Sequence, residues 1–318
     1  MYLYRPLEKS KPCKLPQKKL PREEIDTLRN ILRSAKLILI LMVLFLTACT
    51  VRDGLNLDGA SDVPGENLIN VNGRTVQEWI KVPEGFDRVK VPKGSFGEYL
   101  RNLPLKPHGS KVRYYNGIPK PWDVHVAVLD IDVGNRDLQQ CADAVIRLRA
   151  EYLYWKGEYD KIHFKFTNGF RADYVKWMEG YRIKVEGNKA YWVKVAERSN
   201  DYETFRKYLD IVFAYAGTLS LSQQLKKVPV EDLQIGDIFI KGGSPGHCAI
   251  VLDVAENKAT GEKIFILAQG YMPAQDIHIL KNPANGEGNP WYSINFGERL
   301  QTPEFVFARD QLARFETN

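Results

Sequence analysis

A chain of 318 residues with 44% hydrophobic and 11% aromatic content has the length for one large domain or two small ones, and enough apolar side chains to exclude disorder over most of its length. Its formal net charge of +6 lies wholly in residues 1–48, which hold ten Lys/Arg against four Asp/Glu, so the remaining 270 residues are balanced. The basic pI of the whole chain therefore says nothing for nucleic-acid or anionic partners, where clustered positive charge would be expected, and no nucleic-acid partner is expected.

Within the leader, Arg33 and Lys36 precede an apolar run over 37–46, which Leu46-Thr47-Ala48-Cys49 closes. A positive flank, about 7–15 apolar residues and small residues before a cut are the parts of a secretory signal, and the run falls short of the ~20 residues a bilayer span needs. The arrangement resembles the lipobox of bacterial lipoproteins. The resemblance implies that residues 1–48 are removed and that Cys49 becomes the lipidated first residue, anchored in a membrane of the cell envelope. Thr50 stands where an aspartate is associated with inner-membrane retention, so the expected site is the outer membrane, facing the periplasm. Residues 49–80 are then the lipidated N-terminus and a flexible tether, rich in Gly, Asp and Asn, and 81–318 a single domain. Cys141 and Cys248 are the two thiols left, too few for a disulfide framework.

Ser95 caps a short helix over 96–103, ended by Pro104 and Pro107. The β-branched run 124–129, between Pro121 and Gly134, reads as a strand. After it Asp137 and Gln140 resemble a capping pair, and Leu138, Cys141, Val145, Leu148, Tyr152 and Trp155 recur at helical spacing, one stripe facing the core. Residues 159–195 alternate aromatic and polar side chains, and 202–219 reads as a second amphipathic helix. Strands follow over 237–241, 247–254 and 263–269, so helices precede a run of antiparallel strands and the fold class is α+β. Trp155, Trp177 and Trp192 are expected in the core.

A nucleophilic cysteine needs a thiolate, which a helix N-terminus or a neighbouring imidazole supplies. Cys141 lies in the first turns of the best helix. Asp137 as its cap makes Cys141 the fourth helical residue, where the dipole has weakened, and a buried core thiol is the competing reading. His247 opens a strand directly after Gly242-Gly243-Ser244-Pro245-Gly246, where an imidazole meets an open sheet edge. If the following hairpin closes through 256–260, residue 247 pairs with 269, and Gln269 shares a face with His247 as the orienting amide of a triad. Strand alternation puts Cys248 on the other face, which removes it as nucleophile. His125 is the second-choice base, with a packing role as its competitor. His247-Cys248 lacks zinc-site spacing, and no metal or other cofactor is expected. Tyr271, Asp276 and Trp291, in a segment rich in aromatic and turn residues, could line a groove for glycan or peptide or simply pack against the domain.

The runs Leu233-Gln234-Ile235-Gly236-Asp237-Ile238-Phe239 and Gly246-His247-Cys248-Ala249-Ile250-Val251-Leu252-Asp253 resemble the second half of NlpC-type and CHAP cell-wall hydrolases. A longer resemblance, through Gly94-Ser95-Phe96, Leu105-Lys106-Pro107, Leu138-Gln139-Gln140-Cys141-Ala142-Asp143 and 268–276, is to an uncharacterised bacterial lipoprotein family, the domain of unknown function 4846. The first resemblance implies a papain-like core, with Cys141 as nucleophile and His247 as base, hydrolysing amide bonds of peptidoglycan stem peptides. The second implies no activity. A non-catalytic glycan- or peptide-binding lipoprotein is the alternative from another class, and an acyltransferase a third.

Overall fold

The computed structural model describes residues 67–316. The signal over 1–48, the lipidation at Cys49 and the tether as far as residue 66 lie outside the described residues.

Ordered packing begins earlier than composition indicates. Leu68, Val76, Trp79 and Ile80 are buried, the middle pair on α1 (Val76–Trp79), so the core takes in residues upstream of 81. After β1 (Asp87–Arg88) comes α2 (Phe96–Arg101), capped as its sequence predicts, with Ser95 Oγ accepting the Glu98 N–H at 3.2 Å. β2 (His125–Val128) and α3 (Cys141–Trp155) follow. Two small hairpins, β3 (His163–Lys165) with β4 (Arg171–Asp173) and β5 (Tyr181–Glu186) with β6 (Lys189–Lys194), stand on either side of α4 (Tyr174–Met178) in the chain. Where one helix is expected over 202–219 there are two, α5 (Tyr202–Tyr215) and α6 (Thr218–Ser222), because Ala216 and Gly217 are extended.

The second half of the chain builds the main sheet from β7 (Lys226–Lys227), β8 (Ile238–Lys241), β9 (His247–Glu256), β10 (Lys263–Gln269), β11 (His278–Leu280), β12 (Tyr292–Ser293) and, beyond the separate hairpin of β13 (Arg299–Gln301) and β14 (Val306–Ala308), β15 (Leu312–Arg314). With β1 and β2 these form a nine-stranded sheet whose main path runs β2-β11-β10-β9-β8-β15-β7. Its strand pairs are antiparallel, and the fold is α+β. β9 is central, and nine of its ten residues are buried, as an apolar strand covered on both faces requires.

α3 packs on β9 and is buried around most of its circumference, thirteen of its fifteen residues, rather than along one stripe. Charged side chains of this helix are bonded inward. Arg147 Nη1 donates to Gln139 Oε1 at 2.7 Å and its Nε meets Glu151 at 3.3 Å, while the Tyr202 hydroxyl of α5 donates to Glu151 at 2.6 Å. Trp155, expected in the core, is 68% exposed at the last turn of α3 and stacks on Tyr202; Trp177 is buried and Trp192 half-buried.

Candidate functional site

Residues 137–139 do not join the helix. Gln140 is extended, and its N–H donates to Asp143 Oδ2 at 3.0 Å, so it is the N-cap. Asp137, expected in that role, accepts the Ala274 N–H at 2.7 Å and thereby ties the helix entry to the chain after β10. The shift of three residues changes the chemistry. Cys141 is the first residue of a fifteen-residue helix rather than the fourth of a longer one, and sits where the backbone N–H groups lack helical partners and the dipole is strongest.

The loop before β9 is built to lie against α6. A Cβ on Gly246 would fall 2.3 Å from Thr218 Oγ1 and 2.2 Å from the Gly243 carbonyl oxygen, so only glycine lets the chain enter β9 there. His247 follows at once. It is 2% exposed, packed against Tyr271 at 4.7 Å, Phe305 at 5.1 Å and Phe307 at 5.8 Å between ring centroids.

Gln269 reaches His247 by a route that differs from the expected pairing. Near the turn Glu256 pairs with Lys263 and Asp253 with Ile266, a register that, carried on unchanged, would set His247 opposite Met272 and turn Gln269 to the other face. The register shifts after Ile266, where Leu252 is skipped and Leu267 pairs with Val251. Beyond this bulge Ala268 pairs with Ile250, so His247 falls opposite Tyr271, with Gln269 two residues along on the same face. His247 Nε2 and Gln269 Oε1 are 2.7 Å apart. Since an amide oxygen only accepts, Nε2 carries a proton and donates it, and Nδ1 is the ring nitrogen left for another partner.

Cys141 and Cys248 are free thiols, 7% and 0% exposed. Alternation does separate Cys248 from His247 on β9, but α3 lies over the Cys248 side, and the Cys248 thiol neighbours Cys141. Interaction with the Cys248 thiol, the His247 imidazole and the Ala142 N–H holds the Cys141 thiol well below the usual thiol range against the opposing effect of burial. Cys248 is pushed up by the same interaction and by its own burial. Burial also pushes the Asp143 carboxyl well above the usual carboxylate range.

A cavity of about 450 Å³ opens over Cys141 and His247, walled by Thr218 of α6, the cis Ser244-Pro245 loop, Tyr271, Met272 and Phe305. No Lys or Arg lines it. Gly270 holds the helix against this cavity, since a Cβ there would lie 2.8 Å from the Gln140 carbonyl oxygen and 3.0 Å from Ala144 Cβ. Gly270→Ala therefore pushes the start of α3 off the sheet at a cost of about 1–3 kcal/mol. Urea unfolding measures the loss, and an unchanged midpoint would refute the close packing.

Of the remaining sequence candidates, Tyr271 lines the cavity, and Asp276 and Trp291 do not. Asp276 is buried in an ion pair with Lys106 at 2.9 Å and accepts the Arg113 N–H at 3.0 Å; Trp291 is a core residue whose Nε1–H donates to the Lys81 carbonyl at 2.9 Å. His125 Nε2 meets the Ser110 carbonyl at 3.0 Å, a packing role away from Cys141. Phe305 and Phe307 escaped the sequence reading, although the β-prone run Phe305-Val306-Phe307 signals a strand; Glu304 beside them gave no signal. Among the described residues there is no group of three His, Cys, Asp or Glu side chains that could hold a metal ion, and no helix long and apolar enough to cross a membrane.

A helix-initial cysteine, an imidazole at the start of a central strand and an amide on the adjacent strand thus meet beneath one cavity of an α+β protein. The chain belongs to the family described as Domain of unknown function (4846), which matches residues 76–314. No curated protein and no solved structure matches it.

Proposed function

We propose that this protein is an envelope lipoprotein with a papain-like core, and that it hydrolyses amide bonds, with peptidoglycan stem peptides as the substrate class. The observation that carries the reading is the coincidence at Cys141 of a helix N-terminus, a neighbouring His247 and a cavity above both. In the first step the Cys141 thiolate attacks the amide carbonyl carbon, and the oxyanion accepts the Cys141 backbone N–H. The imidazolium of His247 gives its proton to the departing amine as the C–N bond breaks, leaving a thioester. Water, deprotonated by the neutral imidazole, then attacks the thioester carbon. The C–S bond breaks, which releases the acid product and restores the Cys141 thiolate beside the His247 imidazolium. The absence of Lys and Arg from the cavity lining suits a neutral amide better than a phosphorylated group. The envelope location rests on the lipobox-like Leu46-Thr47-Ala48-Cys49.

Incubation of the protein with purified muropeptides tests the reading. The expected result is a product pair whose masses sum to that of the substrate plus one water, absent with Cys141→Ala. Intact muropeptides, with binding retained equally by both proteins, would replace hydrolysis with a non-catalytic binding role.

A further inference from the structure

The chain of contacts behind Gln269 extends past any triad. A side-chain amide can be turned end for end, and only its partners decide which end faces His247. Gln269 Nε2 lies 2.7 Å from Glu304 Oε2 and 3.4 Å from His278 Nε2. Glu304 is a carboxylate and only accepts. His278 uses its Nδ1–H on the Asp276 carbonyl at 2.9 Å, so its Nε2 also accepts, and burial keeps the ring neutral by moving its pKa down to about 3. Both neighbours therefore demand the NH₂ end of Gln269.

Glu304 is fixed in turn. Its carboxylate is 2.6 Å from Lys120 Nζ, whose side chain is 2% exposed and also donates to Gln275 Oε1 at 3.0 Å. The turn that carries Glu304 is closed by Thr302, whose N–H and hydroxyl both donate to the Phe305 carbonyl, at 2.9 and 2.8 Å. A buried lysine and a carboxylate with so little solvent contact are costly to assemble, which calls for a function beyond stability.

We propose that Glu304 is a positioning residue: held by Lys120, it fixes the Gln269 amide so that its oxygen faces the Nε2–H of His247 and Nδ1 is left for the Cys141 thiol. The proposal rests on the reading of Cys141 as nucleophile. Turned round, the amide would set an N–H against Nε2–H of the imidazolium and destabilise the thiolate–imidazolium pair. The other groups that face the pair are the Cys248 thiol, the Asp143 carboxyl and Tyr271, over whose ring Lys120 lies at 5.2 Å from the centroid. A Glu304→Gln change leaves all of these in place, and gives Gln269 a neighbour able to donate as well as accept.

The test is iodoacetamide labelling of Cys141 in the full chain between pH 3 and 9, read by mass spectrometry in the tryptic peptide 137–147, which contains no other cysteine. Glu304→Gln is expected to move the labelling profile up by about one pH unit, which slows labelling by up to about tenfold below the wild-type midpoint. In a Gln269→Ala background the same change is expected to add less than about twofold, as for a residue that acts through Gln269. Equal losses in both backgrounds would overturn the proposal, since Glu304 would then act by its charge alone. A Glu304→Gln profile that coincides with that of a fast wild type would also overturn it and leave the nucleophile standing. A wild type that labels only near pH 8.5 would remove the nucleophile first. If Glu304→Gln fails to fold, Lys120→Met with Glu304→Gln removes the ion pair as a unit and carries the same expectations.

Discussion

Asp253→Ala is expected to destabilise the protein by about 3–5 kcal/mol, the cost of stripping one partner from a buried ion pair. Asp253 is fully buried in β9 and accepts from two guanidinium groups, Arg88 Nε at 2.6 Å and Arg101 Nε at 2.5 Å. Arg101 is itself 6% exposed, so alanine leaves a cation sealed in the core beside the Val254 carbonyl. Against a total stability of about 5–15 kcal/mol such a loss brings the fold near its limit at ambient temperature. The position also adjoins the bulge at Leu252, on which the facing of Gln269 depends. Urea denaturation gives the measurement, and a change below about 1 kcal/mol would show that the two arginines find other partners.

His247→Ala is expected to lower turnover of the amide substrate roughly 10²–10⁴-fold, the range for removing a general acid–base from its place. In the proposed mechanism both halves of the reaction use the imidazole, first to give a proton to the amine and then to take one from water. The loss falls on kcat, since His247 is buried beneath the cavity and adds little binding surface. Gln269→Ala is expected to cost less, because the imidazole keeps its ring contacts with Tyr271, Phe305 and Phe307 while losing the bond that selects its tautomer. Steady-state kinetics on the two variants separates them. A His247→Ala loss below about tenfold would remove the residue from the chemistry.

The sequence made the residue types of the site visible but not the geometry that joins them. Cys141, His247 and Gln269 stand out because a helix start, a glycine-rich loop and an apolar strand end are local features of composition and period. The pairing of 247 with 269 rested on a plain hairpin, and a bulge is invisible to that argument, since Leu252 is an ordinary apolar residue in an apolar run. The observed register and its shift together restore the facing that the simpler pairing supposed. The start of α3 was misplaced because Asp137 is a good capping residue, and only the tertiary bond to the Ala274 N–H shows why it is occupied elsewhere. Asp276 and Trp291 read as groove residues for their chemistry, yet the ion pair with Lys106 and the bond to the Lys81 carbonyl come from segments 170 and 210 residues away in the chain. Glu304 and Lys120 are likewise joined across 184 residues, a distance over which no local pattern speaks.

The central claim is that Cys141 is an activated thiol rather than a core residue, and the rate of its alkylation by iodoacetamide against pH in the wild-type chain tests it most directly. An ordinary thiol titrates near 8.5. Because the folded protein holds the Cys141 thiolate by the Cys248 thiol, His247 and the helix start, labelling is expected to remain fast below about pH 7 and to fall only as the pH drops through the lowered value. Labelling that follows an ordinary thiol, or that appears only when urea unfolds the chain, would contradict the account and return Cys141 to the core.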